Sequence, residues 1–129
     1  MPMYTVTTNK PMAIAKRQEL ARVIMNIHCG LTHAPKTFVN VVYSQNVSLQ
    51  NGIAINVLGN VRKGRTPEMN GQLTKDMHEG VASFLNISLN LVELSLFEVN
   101  ASWVMEGGNI LPEPGEEDDC EWLQEESGA

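Results

Sequence analysis

The sequence predicts an α/β fold built from a duplicated β-α-β unit, with a four-stranded sheet carrying two helices on one face. Two observations lead there. Runs of alternating, β-branched residues flank long stretches of helical spacing, and the order strand, helix, strand occurs twice, in residues 1–44 and 53–99. Parallel pairing within each unit, with a right-handed crossover, follows from the general chirality of such units. At 129 residues one core suffices.

Met3 to Thr8 alternates over a short run and reads as a strand starting at the N-terminus. Pro11 suits a first helical turn. Beyond it Ile14, Ala21, Ile24 and His28 form one stripe, with Leu20, Val23, Ile27 and Leu31 beside it and Gly30 near the end, so a helix is expected over about 11–29. Phe38–Ser44 and Ile53–Val61 are the next two strands, separated by a polar loop that closes at Gly52. Thr66 is a good N-cap, Pro67 a good first helical residue, and Glu68 complements the helix dipole. Met69, Leu73, Met77, Val81 and Phe84 or Leu85 then continue at helical spacing to about Leu85. Leu91–Val99 alternates again as the last long strand, with Val92, Leu94 and Leu96 on one face. Gly107-Gly108 marks a turn or short hairpin before the break at Pro112–Gly115. Such a sheet leaves its second face bare, and oligomerisation covers it economically.

The net charge of -6 is unevenly placed. Residues 113–129 carry eight acids and no Lys or Arg, which leaves seven acids against nine bases in the body. Residues 1–112 are therefore read as the domain and 113–129 as a solvated, extended acidic tail. A near-neutral body argues against nucleic acid as a partner, and no stretch approaches the roughly 20 apolar residues of a membrane span. The N-terminus lacks the pattern of a secretory or mitochondrial leader, so the expectation is cytoplasmic. Asn46, Asn86 and Asn100 head sequons that are then chance matches, and Cys29 and Cys120 are read as reduced thiols. No glycine-rich phosphate loop occurs, and His33 and His78 have no ligand-spaced partners, so neither cofactor nor metal is expected.

The chemistry-bearing residues are few. Pro2 would present a secondary amine at the tip of the first strand once Met1 is removed, whereas a retained Met1 would turn that nitrogen into an amide. An α-amine titrates near 8, and desolvation or neighbouring cations would bring it close to the pH at which it works as acid and base. Arg62 and Arg65 offer planar forks for a carboxylate, with Gly64 between them to bend the loop. His28 lies on the apolar stripe, and Glu106 adjoins the glycine turn.

Pro2 with Tyr4, the repeated unit, His28, the Arg62-x-x-Arg65 spacing, and Glu106 followed by Gly107-Gly108-Asn109-Ile110-Leu111-Pro112-Glu113-Pro114-Gly115, with Glu121-Trp122 beyond, resemble the cis-3-chloroacrylic acid dehalogenase group of the tautomerase superfamily. The resemblance implies a fold like that of macrophage migration inhibitory factor, a homotrimer, Pro2 and Glu106 as catalytic residues, and His28, Arg62 and Arg65 as binders of a small carboxylate. The group's water-positioning tyrosine has no counterpart, because eleven residues before Glu106 stands Ser95. Tautomerisation or hydration of a small unsaturated or keto carboxylate is therefore the expected activity, ahead of dehalogenation. Decarboxylase or hydratase chemistry on malonate semialdehyde-like or acetylenic acids, and a catalytically inactive trimeric interaction module, stay open beside it.

Overall fold

The computed structural model describes residues 1–127. Its main elements are β1 (Met3–Thr8), α1 (Ile14–Thr32), β2 (Asn40–Ser44), β3 (Ile55–Arg62), α2 (Pro67–Leu85), β4 (Val92–Val99), the short hairpin β5 (Met105–Glu106) and β6 (Asn109–Ile110), and α3 (Glu121–Ser127). The sheet order is β2-β1-β3-β4. β1 pairs parallel with β2, and β3 parallel with β4, so each half is a β-α-β unit. The two units join through the antiparallel pair of β1 and β3.

The core forms where the two helices meet one sheet face. Leu20 and Ile24 of α1 and Leu73, Met77, Val81 and Ala82 of α2 pack on Tyr4, Val6, Ile55, Val57, Val61 and Val92. Full burial of each of the larger apolar side chains stabilises by about 1.5–3 kcal/mol. The alternation expected for β1 holds, since Tyr4, Val6 and Thr8 are its buried residues.

Helix α2 follows its sequence signals: the Thr66 side chain accepts the Met69 N–H at 3.1 Å, and Pro67 opens the helix. Helix α1 is displaced from the expected span. Pro11, Met12 and Ala13 remain outside it, Gly30 stays helical, and His33 ends it in the left-handed conformation at φ 60°. Ile14, expected on the buried stripe, is consequently an exposed residue of the first turn. The second strand is also shorter than expected, because 36–38 form a 3₁₀ turn that points Phe38 into a second apolar cluster. Asn46 and Asn86 adopt positive φ, and Asn86 caps α2, so the asparagines of two sequons serve backbone geometry.

The acidic tail differs most from expectation. Residues 117–119 form a 3₁₀ turn and 121–127 a helix. Trp122 and Leu123 pack against the cluster of Phe38, Ala101 and Leu111, and the Trp122 indole N–H donates to the Ile110 carbonyl at 3.1 Å. Its amphipathic residues outweigh the mutual repulsion of the acids, and the segment folds back onto the domain. Among the described residues no helix is long and apolar enough to cross a membrane.

Candidate active site

The start of β1, the end of β3 and the β5–β6 hairpin converge at one edge of the helix-covered face. Pro2 is buried, and its carbonyl accepts the Asn40 N–H at 3.0 Å, which ties the N-terminus to β2. One strand over, Arg62 closes β3. The hairpin turns through Gly107 and Gly108 at φ 58° and 83°, a pair of positive values that glycine supplies at no steric cost. This turn sets Glu106 against the N-terminus: the α-amine of Met1 and the Glu106 carboxylate form an ion pair. The amine is nonetheless lowered from its ordinary value to about 6, by burial first and by the Arg62 charge second.

Among the described residues Arg62 has the largest fully buried side chain, 2% exposed. Such a charge is stable only when partnered. Its Nη1 donates to the Pro112 carbonyl at 2.5 Å, its Nη2 donates to Glu117 Oε1 at 2.5 Å, and the guanidinium lies 5.7 Å from the centre of the Phe38 ring. Burial pushes the Glu117 carboxyl up, but the Arg62 bond and charge together with the Gly115 N–H hold it below its ordinary range. Arg65 is half-buried; its Nη1 donates to the Arg62 carbonyl at 3.3 Å, and burial followed by the Arg62 charge lowers its pKa. Gly64, at φ 126°, permits the bend that keeps the two arginines together.

His28 and Tyr4 form a fully buried pair. The Tyr4 hydroxyl and His28 Nδ1 lie 2.8 Å apart, with the rings edge to face. Burial, then Arg65, Arg62 and the terminal amine, lower His28 to about 3, so the imidazole is neutral at pH 7. Burial raises the Tyr4 phenol, which keeps its proton and donates it to Nδ1. The remaining proton of the ring then sits on Nε2. That atom is buried without a hydrogen-bond partner among the described residues. It is a donor held ready for an acceptor that the chain does not supply.

Of the five residues singled out by sequence, Pro2, Glu106, Arg62 and Arg65 gather around the N-terminus, and His28 joins them through the charges that act on it. Ser95 is not linked to them. It is exposed in β4 opposite Leu58, on the sheet face away from Leu94 and Leu96. His33 caps α1 and His78 bonds the carbonyls of Leu89 and Val92, so both serve the backbone. Sequence reasoning missed Tyr4 as the partner of His28, although its place in the alternation puts it on the inner face. It also missed Glu117, which is one of eight tail acids and carries no distinguishing spacing.

No protein-family model matches the chain, and no curated protein matches it in sequence. Solved structures do. The chain is similar to N1, a member of the cis-3-chloroacrylic acid dehalogenase family, with a TM-score of 0.86 and 23% identity over 98% of this chain and 99% of that one. It is similar also to a wild-type fused 4-OT asymmetric trimer, with a TM-score of 0.75 and 17% identity over 84% and 95% of the two chains. A third similarity is to Pt0534 inactivated by 2-oxo-3-pentynoate, with a TM-score of 0.74 and 17% identity over 85% and 96%. At these identities the likeness establishes the fold, and the chain has the fold of the tautomerase superfamily. The resemblance read from the residues is borne out at that level.

Proposed function

We propose that the chain is a tautomerase-superfamily enzyme in which the Pro2 amine, freed by removal of Met1, moves a proton on a small unsaturated or keto carboxylate. One observation carries this reading: the chain's terminal amine lies half-buried beside Glu106, with its pKa near 6. An amine of that pKa is mostly neutral at pH 7 and serves as a base, while its conjugate acid is strong enough to return the proton. These values are those of the Met1 amine; in the reading proposed here, removal of Met1 makes the adjacent Pro2 nitrogen the terminal amine, with Arg62 and Glu106 as its charged neighbours.

In a keto–enol exchange the amine takes a proton from the enol oxygen or from the carbon beside the carbonyl, and the ammonium delivers it to the other position. Arg65 offers its fork to the substrate carboxylate, and the Nε2–H of His28 donates to a substrate oxygen. For hydration, Glu106 takes a proton from water while the Pro2 ammonium protonates the carbon that gains hydrogen. Dehalogenation is the weaker reading, because the position of the group's tyrosine holds Ser95. The assembly we infer is a homotrimer, in which the outer sheet face is covered by neighbouring copies. Exposed Val42, Leu58 and Phe97 on that face favour it.

The test joins intact mass to turnover on a panel of three-carbon acids. The mature protein is expected to lack Met1, and an extra residue placed ahead of Pro2 should lower kcat by about 10²-fold or more. Arg65→Ala should raise KM with the fold intact. A mature chain that keeps Met1, or unchanged turnover in the extended chain, would overturn the proposal.

A further inference from the structure

The charges around the candidate site do not balance as two open arginine forks would. Arg62 is closed off: Pro112 and Glu117 take its Nη atoms and Phe38 lies across it. Arg65 donates to the Arg62 carbonyl and, of the two arginines, is the one not ion-paired with a carboxylate among the described residues. Beyond the Phe38 and Glu117 contacts of Arg62 lies a cavity of about 520 Å³ lined by Pro35, Thr37, Phe38, Glu117, Asp118 and Leu123, among others. Glu117 thus faces Arg62 on one side and the cavity on the other. Its second oxygen accepts the Gly115 N–H at 2.9 Å, so the carboxylate is held by two fixed donors.

We infer that Glu117 is a specificity-determining residue that restricts the site to monocarboxylates, a conclusion resting on the carboxylate-binding role given to Arg65 above. Glu117 neutralises one of the two guanidinium charges, and a single substrate carboxylate neutralises the other. A second carboxylate on the same ligand finds no further open guanidinium, because Arg62 is already held by Glu117 and Pro112. If it extends into the cavity it meets Glu117 and Asp118, and like charges brought together in a partly desolvated space repel. The tail supplies this selectivity only because it is folded onto the domain, through Trp122 and Leu123.

Propanoate and malonate differ by one carboxylate and serve as probes. Their affinities are measured by calorimetric titration of the full mature chain, of Glu117→Gln and of Glu117→Asp. The native chain is expected to prefer propanoate. Glu117→Gln, which loses the charge and keeps the shape, should raise the malonate-to-propanoate affinity ratio about tenfold, while Glu117→Asp should leave it near the native value. An unchanged ratio in a folded Glu117→Gln protein overturns the inference, as does an equal rise in Glu117→Asp, which would mark a structural role. If the ratio fails to move while three-carbon acids still turn over, the proposed function survives. If neither acid binds any of the three proteins, the carboxylate site falls and this inference with it.

Discussion

Tyr4 and His28 show how burial tunes a titratable group without a metal or an acid beside it. The imidazole is walled in by the core, and two guanidinium groups oppose its protonation. Its folded pKa of about 3 lies below the ordinary 6.5, so the unfolded chain binds more protons between those values. Stability from this group is complete above about pH 6.5 and is lost as pH falls toward 3. In a chain that retains Met1 the terminal amine acts in the same direction over a higher window: lowered from 8.0 to about 6, it makes stability rise with pH between those values. Urea unfolding free energies of the mature chain measured from pH 3 to 6.5 should therefore climb with pH, and NMR titration should show the His28 ring protons unshifted between pH 5 and 8. A ring that titrates near 6.5 would contradict the burial argument.

Strand β3 meets its neighbours most closely at Gly59, which pairs with Tyr4 on one side and Leu96 on the other. A Cβ at this position would stand 2.6 Å from Tyr4 Cε1 and 2.9 Å from Leu96 Cδ2. The Tyr4 ring occupies the space a side chain would fill, and the strand pairing thereby sets the position of the His28 partner. Gly59→Ala should destabilise the protein by about 1–3 kcal/mol, as overpacking does, measured by denaturant unfolding. It should also perturb the His28 ring resonances, whereas an alanine placed at the open Gly71 of α2 meets nothing within 4 Å and should leave them in place. Helices and strands here are thus legible from spacing, but their ends are not. Pro11 marks the approach to α1 and not its first turn, because Met12 is instead tied by its N–H to the Gln45 side chain at 3.1 Å. That contact spans 33 residues, and no local signal contains it.

The assembled fold leaves one side of the sheet without a helix. Val42, Thr5, Leu58 and Ser95 lie side by side across its four strands, with Val42 and Leu58 exposed. In the trimer proposed above this row is covered, which places Ser95 at or near a contact between copies. A charge there should prevent that contact. Leu58→Lys is expected to shift sedimentation from trimer toward monomer with little change in secondary structure, since the side chain faces away from the core. A native chain that sediments as a monomer at micromolar concentration would remove the trimer from the account.

Local pattern alone was enough for the two β-α-β units, the Thr66 cap and the Gly107–Gly108 turn, whereas the residues that meet at the N-terminus were read from the family resemblance. The units, the cap and the turn each depend on neighbours within a few positions, where periodicity and backbone preference act. Tertiary structure decided that Arg62 is closed by Glu117 and Pro112, that Tyr4 fixes the His28 proton, and that the acidic tail folds back as a helix. The first two are pairings across 24 to 55 residues. They arise because burying a charge or an imidazole requires a partner, and which of several equivalent acids or phenols supplies it depends on the shape of the folded chain and not on spacing along it.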